Sequence, residues 1–294
     1  MAAGKEIRTK IASIKNTQKI TRAMEMVAAS KMRKAQDRMR RARPYADKIR
    51  EVCAHLERGS LEYRHPYTVE RDEVKAVGVI VITTDKGLCG GLNTNALRAV
   101  ATRSQEWEKE GKKIRYTVFG NKGAAFFGRI GGEVISQATA LGDAPELKTM
   151  LGPIQVMTQA FLDGEVDEVH LGYARFINTM SQENSLYRLL PLDPDFNVEE
   201  DAAVAQKELA WDYLYEPGAE AIIDLLMERY IESVIYQAVA DNAASEQAAR
   251  MVAMKAASDN AGNIIDELLL AYNKERQAAI TTEISEIVGG AAAV

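Results

Sequence analysis

The residues best placed to do chemistry in this chain follow an apolar run. Val74–Thr84 leads into Asp85-Lys-Gly-Leu-Cys-Gly-Gly-Leu92, a glycine-rich turn between a strand and a helix. Such turns cradle phosphates when the glycines follow G-x-G-x-x-G, or when a closing Gly-Lys-Ser/Thr aims a lysine at them. Neither spacing occurs here, so the turn reads as structural and no cofactor is expected. His55, His65 and His170 stand far apart with no ligand spacing around them, which argues against a metal site. There is no Gly-x-Ser-x-Gly elbow, and no carboxylate is singled out by spacing. The sequence predicts no catalytic, cofactor-binding or metal-binding residue, so the chain reads as no enzyme in itself.

Its ends explain what it is built for. Lys5–Arg58 holds no glycine and one proline, Pro44; Ala219–Val288 holds no proline and one glycine, Gly262. At about 1.5 Å rise per residue these helices would reach roughly 80 Å and 105 Å. Ordinary globular helices have about 11–12 residues. A chain that starts and ends in rods, with a compact middle, reads as a mechanical part.

Both rods carry heptad seams. In the first, Ile7, Ile11, Ile14, Ala28, Met32, Ala35, Met39, Ala42, Ala46, Ile49, Cys53 and Leu56 share a 4-3 register. Gln18, Thr21 and Glu25 interrupt it, while Ile20, Met24 and Val27 are apolar one position off, which predicts a change of neighbour there. Pro44 is expected to kink or weaken the helix. In the second, Ala244, Met251, Met254, Ala261, Ile265, Leu268, Tyr272 and Ala279 align, interrupted by Gln247, Ser258 and Glu275. A lone rod would expose its seam, so the two are expected to pair as an antiparallel hairpin, the longer one projecting beyond its partner.

Between them the texture changes. Strands are expected at Val74–Thr84, Ile114–Gly120, Glu168–Asn178 and Ser185–Leu190, with helices at Asn93–Glu110, Lys122–Arg129 and Pro145–Leu162. That alternation predicts a mostly parallel α/β sheet. The expected fold is α/β: a long antiparallel coiled coil of the terminal helices with an inserted Rossmann-like α/β domain. Its divisions are 1–58, 70–205 and 210–288, with an acidic linker near Pro191–Asp201.

The net charge of −5 hides segregation, because residues 1–58 hold 16 of the 37 Lys and Arg but only 6 of the 42 Asp and Glu. The densest basic stretch runs from Lys31 to Arg43. Such a belt suits an acidic surface: nucleic acid, an acidic lipid face or acidic loops of a partner. The first residues offer no signal-peptide core, and the apolar run Ala76–Ile82 is far below the ~20 residues of a membrane helix. Two cysteines, Cys53 and Cys89, fit a reducing compartment. A cytosolic chain is expected.

Several motifs resemble one family. They are Lys5-Glu-Ile-Arg8, Asn16-Thr-Gln-Lys-Ile-Thr21, Met24-Glu-Met-Val-Ala-Ala-Ser-Lys-Met-Arg33, Thr84-Asp-Lys-Gly-Leu-Cys-Gly-Gly91 and Phe176-Ile-Asn-Thr-Met180. Ala244-Ser-Glu-Gln-Ala-Ala-Arg-Met-Val-Ala-Met254 and Ile280-Thr-Thr-Glu-Ile-Ser-Glu286 complete them. Together, end to end, they look like the gamma subunit of bacterial F-type ATP synthase. The resemblance implies a central rotor stalk that couples proton flow through a membrane ring of c subunits to conformational change at catalytic sites on beta. The implied partners are the alpha and beta ring, epsilon and the c ring. The implied location is peripheral, on the cytoplasmic face of the bacterial inner membrane. By the same resemblance, Met24 would lie at acidic loops of beta, Arg276, Gln277 and Thr281 at the alpha/beta ring, and Tyr213, Tyr215 and Glu216 at the foot near epsilon or the c ring.

Two other classes compete. A nucleic-acid-binding coiled coil would use the basic helix on phosphates, but Met and Ala separate its charges and no aromatic platform or recognition motif appears. An α/β enzyme with helical arms would need the phosphate loop or acid–base pair that the sequence lacks.

Overall fold

The computed structural model describes residues 2–58, 65–192 and 219–292. Helix α1 (Ala2–Arg58) opens the chain, and a short 3-10 turn, Pro66–Thr68, precedes β1 (Ala76–Ile82). Then come α2 (Leu92–Lys109), β2 (Lys113–Phe119), α3 (Asn121–Ile130), β3 (Glu133–Ala138), α4 (Leu147–Leu162), β4 (Glu168–Phe176), β5 (Gln182–Leu190) and α5 (Ala219–Ala292). Packing divides the chain into two units, Met1–Ser30 with Arg250–Val294, and Lys31–Ala249.

The larger unit is built on a five-stranded sheet of order β3-β2-β1-β4-β5. β1 runs parallel to β2 and β4, β2 runs parallel to β3, and β5 returns antiparallel on β4. β1 is buried along its whole length, and its period of two splits its side chains between two cores. Val77, Val79 and Val81 join Leu97, Val100 and Trp107 of α2 and Phe127 of α3. Ile80 and Ile82 join Met150, Ile154, Met157 and Phe161 of α4, together with Ile223, Met227, Ile231 and Ile235 of α5. The expected α/β sheet is present. β3 was not legible, because it is a short edge strand with polar residues at Glu133, Ser136 and Gln137 and no fully buried residue.

In the smaller unit two helix segments share one seam. Ile11 and Ala28 of α1 and Met254, Ser258, Ala261 and Ile265 of α5 are buried. At the interruption the seam between the two helices continues through polar residues. Gln18, Thr21 and Glu25 are half-buried in the seam, whereas Ile20 and Val27 are 60% and 53% exposed. Gln18 stays in register because its Nε2 donates to the Ser258 carbonyl at 3.3 Å. Gly262 leaves room for it, since an added Cβ would stand 3.2 Å from that nitrogen. A polar pair spanning a seam fixes its register. Antiparallel running from this tie leaves α5 after Arg276 with no α1 residue opposite. Residues 281–288 are all exposed, as that direction requires, with Ile284 at 56% and Ile287 at 71%.

Pro44 lies inside α1 and is exposed, and the helix continues past it to Arg58.

Helix ends without packing fray. Amide exchange on the free chain is therefore expected to show slow exchange through Ala248–Ile265 and fast exchange from Ile280 onward. Equal protection of the two stretches would contradict the register given above.

Candidate functional site

Open α/β sheets bind ligands outside the carboxyl ends of their strands, where the strand order reverses. Here that point lies between β1 and β4, and α5 occupies it. β1 ends at Ile82 while β4 runs on, its last β1 partner being Gly172 opposite Val81. On its β1 side, Ala174 therefore presents an amide and a carbonyl with no strand beside them. Asn242 and Ser245 of α5 satisfy both: Ala174 N donates to Asn242 Oδ1 at 3.3 Å, and Ser245 Oγ donates to Ala174 O at 2.9 Å. Cys89, Leu92 and Ala174 close the same place as a small apolar cluster, with Ala249 packed on it. Tyr173 next door is pushed up to about 12, first by burial and then by the Asp241 carboxylate, so it serves as neutral packing.

The glycine turn is equally committed. Its Asp85 and the preceding Thr83 and Thr84 also cap the neighbouring helix α3, whose N-terminal amides could otherwise bind an anion. Asn121 N donates to Asp85 Oδ1 at 3.1 Å, Lys122 N to Thr84 O at 3.1 Å and Gly123 N to Thr83 Oγ1 at 2.9 Å. Asp85 also accepts from Ala140 N at 2.9 Å and Gly142 N at 3.3 Å. Asn93 ties the turn to α2, accepting from Thr84 N and donating to the Thr84 hydroxyl. At α3 a carboxylate of the chain takes the place an anion could occupy.

The buried histidines are structural as well. His65 Nδ1 accepts from Tyr67 N at 3.0 Å, and its Nε2 stands 3.5 Å from Asp224. His170 Nε2 lies 3.1 Å from Glu168 Oε2, its ring 4.6 Å from that of Trp107. Burial is the main cause that lowers both pKa values, against the opposing pull of the neighbouring carboxylates. Among the described residues no His, Cys, Asp and Glu cluster is placed to hold a metal ion. No described helix is long and apolar enough to cross a membrane.

The residues expected at partner contacts do not converge on one place. Met24 is half-buried on α1. Arg276, Gln277 and Thr281 are exposed on α5, where the Thr281 hydroxyl donates to the Gln277 carbonyl. Tyr213, Tyr215 and Glu216 lie outside the described residues. Sequence reasoning missed Asn242, Ser245 and Asp85, whose small polar side chains looked like ordinary helix and turn composition. Only the seam position of Ala244 hinted that its neighbours face inward.

Comparison with known proteins bears on the whole chain. A protein family described as ATP synthase matches residues 3–294. A protein of Nitrosomonas eutropha named ATP synthase gamma chain is 60% identical over 295 residues, covering 100% of both chains. The ATP synthase gamma chain of Thiobacillus denitrificans is 59% identical over 294 residues, again covering 100% of both. Among solved structures, a chain of the Euglena gracilis mitochondrial ATP synthase is similar in fold with a TM-score of 0.69 at 21% identity, covering 99% of this chain and 94% of that one. A central-stalk/c-ring structure of the Tetrahymena thermophila mitochondrial ATP synthase matches with a TM-score of 0.59 at 27% identity, covering 81% of this chain and 99% of its own.

Two outcomes follow from this geometry. Asp85→Ala is expected to cost about 1–3 kcal/mol in urea unfolding, because three amides lose an anionic acceptor, and to create no nucleotide affinity in calorimetry. Micromolar ATP binding by either chain would show that the turn is a phosphate site. A histidine whose folded pKa lies below its ordinary 6.5 stabilises the fold above that value, and the contribution is lost as pH falls through the folded pKa. Melting temperature is thus expected to fall between pH 7 and pH 5, and less steeply in His170→Gln. An unchanged slope in that variant would remove His170 from the account.

Proposed function

The chain belongs to the ATP synthase family, that of the gamma chains, and from this we propose that it is the central rotor stalk of a proton-translocating F-type ATP synthase. Its partners are the ring of alpha and beta subunits, the epsilon subunit and the membrane ring of c subunits. It reaches the membrane through these partners, on the cytoplasmic face of the bacterial inner membrane. ATP is made and hydrolysed by the complex at sites on beta, and gamma itself is non-catalytic.

One observation carries this reading beyond family membership: α5 fills the crevice where the sheet would take a ligand. The α/β domain thereby becomes a grip on a long helix, and force applied to it is transmitted along α5 through Asn242, Ser245 and the apolar core. In this role Met24, Arg276, Gln277 and Thr281 meet the alpha/beta ring, and Tyr213, Tyr215 and Glu216 meet epsilon or the c ring. Segments 1–58 and 210–288 are the shaft and 70–205 the body. The exposed Ile280, Ile284 and Ile287 give the far end of α5 an apolar face for an apolar sleeve. Nothing favours the nucleic-acid alternative, since the family match runs over residues 3–294.

Cross-linking separates rotor from stator. With Cys53 and Cys89 replaced by Ser, a Met24→Cys disulfide to a cysteine in an acidic loop of beta is expected to stop ATP hydrolysis until reduced. A Tyr215→Cys disulfide to epsilon is expected to leave hydrolysis running, because those two turn together. Full hydrolysis with the Met24→Cys bond closed would contradict rotation of this chain.

A further inference from the structure

Two cations of the basic belt are already paired inside the chain. Lys31 Nζ lies 2.8 Å from Asp143 Oδ2, and Arg38 Nη1 donates to the Asp143 carbonyl at 2.6 Å. Lys31 and Arg38 are seven residues apart, two turns of α1, and so share a face. Both grip one residue of the loop between β3 and α4. That loop is shaped to present it. Asp85 pins the amides of Ala140 and Gly142, and both residues have positive φ, 59° and 72°. The contact is also exposed enough to exchange, with the Lys31 and Asp143 side chains 39% and 51% accessible. A partly exposed ion pair contributes little net stability and is readily replaced.

We propose that the loop of residues 139–146 is a built-in stand-in for the acidic partner segment, with Asp143 occupying Lys31 and Arg38 until an acidic loop of the ring displaces it. The inference rests on the rotor reading, in which the basic belt meets acidic loops of beta. Its chemistry is an exchange of one carboxylate for another on Lys31, while Arg38 exchanges the Asp143 carbonyl for a partner acceptor. The exchange keeps the belt from binding stray anions before assembly. It also limits the net attraction between belt and ring, since a new pair at Lys31 is offset by the one broken.

The test uses the full-length chain and a synthetic glutamate- and aspartate-rich decapeptide, with affinity read by fluorescence anisotropy at low salt. Asp143→Asn is expected to bind the peptide about two- to fivefold tighter than wild type, the size of one exposed ion pair, with the gain gone at high salt. Lys31→Gln with Arg38→Gln is expected to weaken binding and to abolish the gain from Asp143→Asn. Circular dichroism confirms that each variant is folded, and Asp143→Ala repeats the gain with a different side chain. If Asp143→Asn and Asp143→Ala bind like wild type while the double variant binds more weakly, the stand-in is overturned and the belt reading survives. If the double variant binds as tightly as wild type, the belt does not recognise acidic segments, and the stand-in falls with it.

Discussion

The seating of α5 on Ala174 is the constraint from which the rest follows. A strand that outruns its neighbour exposes an amide and a carbonyl, and burying them unpaired would cost about 1–3 kcal/mol each. Asn242 and Ser245 supply one acceptor and one donor, three residues apart on one helical face. Those two bonds set the rotation and the axial position of α5 against the sheet. They also close the crevice that an α/β fold ordinarily reserves for a ligand. A fold that hosts enzymes elsewhere is used here as a clamp on a helix.

Side-chain size governs what happens along the helices. The α5 seam alternates alanine and serine with methionine, isoleucine and leucine, and Ala244, Ser245 and Ala248 have no exposed surface. Small residues allow close approach, and the polar tie from Gln18 to Ser258 fixes where the two helices meet. The exposed apolar residues of α1, Ile20, Met26 and Val27, lie off the seam and face outward. That surface suits contact with changing neighbours, because methionine adapts its shape to what it meets.

Much of this was legible in the sequence. Long runs with a single proline or glycine pointed to both terminal helices, and a β-branched run before a glycine turn pointed to β1 and its turn. What the sequence could not show is how the turn is held: Asn93 reaches back to Thr84, and Asp85 reaches the first amide of α3. Three things could not be read. β3 sets Val134 and Ile135 side by side on opposite cores and then turns polar at Ser136 and Gln137, so periodicity is silent. Gln18, Thr21 and Glu25 looked like a break because pattern reading scores polarity, whereas the seam accepts a polar side chain that finds a partner. The Lys31–Asp143 pair joins residues far apart in sequence, and neither charge is distinctive alone.

The central claim is that this chain turns against a fixed ring. It is tested most directly by immobilising the alpha/beta ring on glass and watching a bead attached to a cysteine at Lys109, on the exposed end of α2, while ATP is supplied. The account predicts continuous rotation in one direction that stops when ATP is removed. Steady hydrolysis with a motionless bead would contradict it.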